Sequence, residues 1–232
     1  MRYIGLAIAV AGVILSLAAV SPAGSVGEMR PDLAPLAKYL KDRRVETSGG
    51  QTFLRFSTGV GNYGDGAVEV RGVRSSTSDP MTAIQRIYLT GGGFTEATIG
   101  TFIYHPEHNH WHFDYFATFE LVDSGGNVVA SNDKVSFCLL DVERIKPPLA
   151  GASNQPVYTN CNQGNASALS IGPQGISRGW TDIYRKYLPD QSINITGVPA
   201  GSYTLRVTAD PLDRIDESNE GNNVTTVPVA IR

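Results

Sequence analysis

Histidine, cysteine and basic charge are all scarce in this sequence, and each scarcity removes a class of function. Of 232 residues only four are histidine and two are cysteine, and the formal charge at pH 7 is −3. No basic excess is present to hold nucleic acid, so that partner is excluded; a mildly acidic surface favours cationic substrates. Two cysteines cannot furnish a four-thiolate zinc site or a dense disulfide scaffold. The His-Glu-x-x-His helix of common metalloproteases is missing. Internal repeats and low-complexity tracts are missing too, and helical periodicity is confined to a short piece around Leu33 to Leu40, which excludes bundles and helical solenoids.

The N-terminus is the one long apolar run. Met1 and Arg2 make a short basic start, Tyr3 to Val20 carries no charge, and Ser21, Pro22 and Ala23 supply small residues at its end. This pattern predicts a secretory signal over residues 1–23, or an uncleaved anchor, because 18 apolar residues approach a bilayer's thickness. A catalytic or binding domain over residues 28–232 follows. In an oxidising compartment Cys138 and Cys161 are expected to form a disulfide; two thiolate metal ligands are the alternative.

Glycine (25) and proline (13) punctuate the chain at short intervals. Between them lie β-branched and aromatic runs: Thr52 to Ser57, Ala67 to Val73, Ala83 to Leu89, Phe113 to Val122, Val128 to Ala130, Lys134 to Leu140, Ser192 to Ile195, Ser202 to Ala209 and Val224 to Ile231. Ser124-Gly-Gly-Asn127 reads as a hairpin turn. An all-β fold follows, a β-sandwich core with long irregular loops forming the active site. The longest of those loops is expected from about Asp141 to Pro189.

The histidines that do occur, His105, His108, His110 and His112, fall within eight residues. In an extended segment alternate residues share a face, so His108, His110 and His112 project together while Trp111, Phe113 and Tyr115 point into a core. On a straight strand the outer two would stand roughly 13 Å apart, so the segment is expected to curl or bulge. Pro106 leaves the orientation of His105 open. Three imidazoles suit copper or zinc and leave a coordination position for water or substrate. The bland alternative is a row of polar strand residues.

Several ordered segments resemble the catalytic domain of the lysyl oxidase family, extracellular copper amine oxidases that carry a lysine tyrosylquinone. They are His105-Pro-Glu-His-Asn-His-Trp-His112, Lys134-Val-Ser-Phe-Cys138-Leu, Gln174-Gly-Ile-Ser-Arg-Gly-Trp-Thr-Asp-Ile-Tyr184 followed by Ile193-Asn-Ile-Thr196, and Glu217-Ser-Asn-Glu-Gly-Asn-Asn223. Upstream, Pro31-Asp32-Leu33 and Phe53-Leu-Arg-Phe56 also fit. The chain departs from animal members where Trp180 and Asp190 replace a cysteine pair around the tyrosine.

The resemblance implies copper on His108, His110 and His112, and a quinone cofactor made from Lys134 and Tyr184, with Tyr187 as the fallback tyrosine. A primary amine, a peptidyl lysine or a small amine, would be oxidised to an aldehyde by dioxygen with release of peroxide and ammonia. Asp114, sharing the parity of the histidines, is the expected base, with Glu107 and Asp141 as alternatives. Asp32, the Leu33 carbonyl, Glu217, Asn219, Asn222 and Asn223 would hold calcium, whose hard oxygen ligands this segment supplies. Read without the family, Lys134 is a solvated strand-end lysine and the acidic turn a polar hairpin. A non-catalytic extracellular metal-binding β-sandwich adhesion module and a zinc hydrolase are the competing functions.

Overall fold

The computed structural model describes residues 26–132 and 135–232, so the expected signal segment and Lys134 lie outside the described residues. The all-β expectation is met: four antiparallel sheets surround a shared apolar interior. The largest sheet runs in the order Ser170–Ile176, Val68–Val73, Met81–Leu89, Phe94–His105, His110–Phe113, with Glu28–Met29 added to Met81–Leu89. A second sheet joins Val128–Ser131, Ala117–Val122, Gly201–Ala209 and Val224–Ile231. A third orders Glu143–Arg144, Trp180–Tyr184, Thr58–Asn62 and Leu33–Pro35, and a small fourth holds Ser192–Asn194, Gln51–Phe56 and Arg43–Ser48.

Alternation explains the clearest strands. Met81–Leu89 buries Met81, Ala83, Gln85 and Ile87 and turns the intervening side chains outward. The core is aromatic: Phe119 packs edge-on against Phe56 at 5.3 Å and against Phe137 at 5.8 Å between ring centroids, a geometry that suits the ring quadrupoles. The expected turn after Val122 is present, with Gly126 at φ 87° closing the hairpin to Val128–Ser131.

Several expectations are corrected. Leu33 to Leu40 is not a helix: Leu33–Pro35 is a strand, and only Ala37–Leu40 makes one helical turn. The stretch from Asp141 to Pro189 is not wholly irregular, because it contains Ser170–Ile176 and Trp180–Tyr184. Phe113 to Val122 is broken after Phe113, where Tyr115 adopts φ 56° and stands 41% exposed instead of entering the core. The described part of Lys134 to Leu140 forms one bridge, Phe113 to Phe137, rather than a strand. Three further strands of five or more residues were not expected, Arg43–Ser48, Thr58–Asn62 and Phe94–His105. Thr58–Asn62 hides because its glycines serve packing: a Cβ on Gly59 would sit 2.2 Å from the ring of Tyr39. Phe94–His105 hides because its first five residues are all exposed, Phe94 included, so they show no alternation of buried and exposed positions, and because its ladder is interrupted at Gly100, φ 144°.

Candidate metal centre and tyrosine cavity

The histidine segment is a hairpin, and that is how it curls. Phe94–His105 and His110–Phe113 pair with His105 opposite His110, so Pro106 to Asn109 forms the turn. Asn109 takes φ 56°, a left-handed conformation that asparagine tolerates better than most residues. Its Oδ1 accepts from the Tyr104 hydroxyl at 2.6 Å and its carbonyl accepts from Gly164 N at 2.9 Å. His110 and His112 therefore project from one strand face, and His108 reaches the same point from the turn. The other face behaves as expected at Trp111 and Phe113, both buried.

One nitrogen from each of His108, His110 and His112 lies within 4.8 Å of the others. The Nε2 atoms of His110 and His112 are 2.8 Å apart. Two nitrogens bound at right angles to one ion at about 2.0 Å have roughly this separation. The donor set thus fits a borderline transition metal such as copper or zinc. His105 joins the group from the side: its ring centroid is 4.4 Å from that of His112, its Nδ1 is 3.1 Å from Glu107 Oε1, and its Nε2 is 2.9 Å from Ser136 Oγ.

Two cavities flank these rings. One, of about 390 Å³, is lined by His108, His110 and His112 together with Asp182, Tyr184 and Cys161. The other, of about 520 Å³, is lined by His105, Glu107, His108, His112, Asp114 and Ser136, with Asn132 and Val135 on either side of Lys134 in sequence. His108 and His112 belong to both.

Tyr184 is held by backbone. Its hydroxyl accepts from Cys138 N at 2.9 Å and donates to Cys138 O at 2.7 Å, and its ring meets Phe137 edge-on at 4.9 Å. Burial, and then the nearby Asp182 carboxylate, push the phenol well above its ordinary pKa. The 135–138 segment is laced to the histidine strand in turn: Phe113 and Phe137 exchange both backbone bonds, and Phe116 N donates to Val135 O at 2.9 Å. Gln174, fully buried, ties the pieces together by donating to Trp111 O at 2.7 Å and accepting from Leu139 N at 3.2 Å. The Cys138–Cys161 disulfide is formed, and Cys161 O accepts from Trp111 N, pinning the long connection to the histidine hairpin.

The profile of the lysyl oxidase family matches residues 94–231. The chain belongs to the lysyl oxidase family. It is 35% identical over 123 residues to lysyl oxidase homolog 2 of Gallus gallus. It is 32% identical over 126 residues to the human homolog 2, and 32% over 127 residues to lysyl oxidase homolog 3B of Danio rerio. Each match covers 53% of this chain but only 14% of the relative, so the chain spans about one seventh of the length of the proteins it resembles.

The other expected residues lie apart from one another. Tyr187 is 71% exposed and lines neither cavity, whereas Tyr184 faces the histidines. Asp114 lines the 520 Å³ cavity, where burial raises its pKa, and its Oδ1 accepts from Tyr115 N. Asp141 is a structural anchor: its carboxylate accepts from Val157 N, Tyr158 N, Ser177 N and Ser177 Oγ. Asp182 went unassigned in the sequence, although it sits two residues before Tyr184 on the same strand and therefore on the same face.

The C-terminal acidic turn meets the N-terminal segment. Leu33 N donates to Glu217 Oε2 at 2.5 Å, Asn222 Nδ2 donates to Asp32 Oδ1 at 2.7 Å, and Ser218 N donates to Pro31 O at 2.8 Å. Asn223 Nδ2 donates to Glu217 Oε1, and Asn219 Oδ1 caps the following turn by accepting from Gly221 N. Burial raises Glu217 to about 8. The Oδ1 atoms of Asn222 and Asn223 are buried and accept nothing from protein. Buried carbonyl oxygens beside carboxylates, lacking donors, fit a hard cation such as calcium.

Proposed function

We propose that this chain is a secreted copper-dependent amine oxidase that converts primary amines, peptidyl lysine or small amines, to aldehydes. The reading is carried by one observation: three imidazoles and Tyr184 line the same cavity. In the net reaction one dioxygen and one water are consumed per amine, and one aldehyde, one ammonia and one hydrogen peroxide are released. Copper would sit on His108, His110 and His112; with it, dioxygen would convert the Tyr184 ring to a quinone joined to Lys134, an electron sink for the amine.

The chain's own residues do the rest. Cys138 clamps the Tyr184 hydroxyl and Phe137 holds its ring edge-on, so the ring is presented at a fixed angle to the histidines. Asp182 shares the tyrosine's cavity and would take a proton from an amine bound at that ring, the role that parity in the sequence gave to Asp114. Calcium on Asp32, the Leu33 carbonyl, Glu217, Asn219, Asn222 and Asn223 would fasten the first ordered strand to the last. Residues 1–23 would direct export, consistent with a disulfide-forming compartment.

Copper loading in air followed by digestion and mass spectrometry tests the reading. A covalent link between the peptides containing Lys134 and Tyr184 is expected, together with amine-dependent peroxide. Lys134→Arg should abolish both; peroxide production that survives it would overturn the quinone assignment. A metal-dependent rise in stability with neither product would favour the non-catalytic adhesion module.

A further inference from the structure

We infer that Ser136 is the positioning residue that fixes which nitrogen of His112 faces the metal, acting within a one-way hydrogen-bond chain that begins at the surface carboxylate of Glu107. The inference rests on the copper reading above and adds a residue to which neither the histidine pattern nor the tyrosine segment points.

The chain is continuous. Glu107 Oε1 lies 3.1 Å from His105 Nδ1, His105 Nε2 lies 2.9 Å from Ser136 Oγ, and Ser136 Oγ lies 3.4 Å from His112 Nδ1. On its far side His112 presents Nε2 to the metal centre, 2.8 Å from Nε2 of His110. Ser136 is 5% exposed and His112 only 1%, so a polar atom here that lacked a partner would be costly.

Counting donors sets the direction. A neutral imidazole has one N–H and one lone pair, a hydroxyl has one proton to give, and an ionised carboxylate only accepts. With His105 neutral, Glu107 receives from His105 Nδ1–H, which leaves His105 Nε2 as an acceptor. Ser136 gives its proton to that nitrogen and accepts in turn from His112 Nδ1–H. The lone pair of His112 is then left on Nε2, where a metal ion can take it. Run the other way, the chain would set an N–H on His112 Nε2 and close the site. It would also turn a lone pair of His105 toward Glu107, two acceptors facing each other. Groups of this kind commonly set ligand tautomer and orientation, and their removal costs about 10–100-fold in metal affinity.

The test compares wild type with Ser136→Ala, Ser136→Thr and Glu107→Gln, the last a change at an exposed position that leaves the core intact. Two-bond proton–nitrogen spectra of metal-free, 15N-labelled protein should show His112 as the Nδ1–H tautomer. Ser136→Ala and Glu107→Gln should each mix the tautomers, and Ser136→Thr should restore the single form. Copper(II) affinity, from competition with a chromophoric chelator, should fall about 10–100-fold in Ser136→Ala and return in Ser136→Thr. An unchanged tautomer and unchanged affinity in Ser136→Ala would overturn the inference. Should the wild type take up no copper while the His112 tautomer still responds to Ser136, the hydrogen-bond chain stands and the copper reading falls.

Discussion

Asp114 and Asp182 stand on different sides of the same histidine rings, and only one of them shares a cavity with Tyr184. A general base must come within hydrogen-bond reach of the proton it removes, and such a group typically contributes about 10²–10⁴-fold. Because the amine would be bound at the ring of Tyr184, Asp182→Asn is expected to lower kcat by about 10²–10⁴-fold, and Asp114→Asn by less than about tenfold. Steady-state peroxide assays on copper-loaded protein decide it, provided both variants still yield the Lys134–Tyr184 peptide link. The reverse ranking would return the base to Asp114. Residue by residue, the sequence was readable where chemistry depends on type and spacing, as at the histidines. It was silent where chemistry depends on approach through space. Asp141 illustrates the silence: nothing in its neighbours announces that its carboxylate accepts from Val157, Tyr158 and Ser177.

The hairpin from Phe94 to Phe113 carries all three candidate metal ligands, and its turn hinges on Asn109. A β-branched residue at φ 56° is a genuine outlier, and the left-handed conformation costs roughly 1–2 kcal/mol for an ordinary L-residue. Asn109→Val also removes the acceptor for the Tyr104 hydroxyl. It should therefore lose about 2 kcal/mol of stability in urea unfolding and bind copper more weakly, since His108 and His110 flank it. Asn109→Gly should recover most of the loss, because glycine meets no Cβ penalty there. Equal copper affinity in Asn109→Val and wild type would show that the turn does not set the ligand geometry. Parity grouped His110 and His112, and their spacing called for a bend at the histidines, but it misplaced Tyr115, because the strand ends at Phe113 and the alternation stops with it. The strands inside 141–189 were hidden for a related reason: Ser170–Ile176 contains two glycines and a proline and is ordered by pairing with Val68–Val73, a contact about a hundred residues away in sequence.

Across the whole molecule residues 31–33 meet the Glu217 turn, far in sequence from the histidine hairpin. Leu33 opens one strand of the third sheet, and Val224–Ile231 closes the second, so whatever binds Glu217, Asn222, Asn223 and Asp32 couples two sheets. A ligand that binds only the folded state stabilises by about 2.7 kcal/mol at a hundred times its Kd, and for a domain of this size that raises Tm by roughly 5–10 °C. Saturating calcium is therefore expected to raise Tm by that order, a chelator to reverse it, and Glu217→Gln to abolish the calcium response. Copper uptake at the histidines should be unaltered by Glu217→Gln at temperatures well below its Tm, because none of the calcium ligands lines either histidine cavity. A calcium response that persists in Glu217→Gln would place the ion elsewhere. Loss of copper binding in that variant while the fold is intact would mean that the sheets transmit the state of one site to the other.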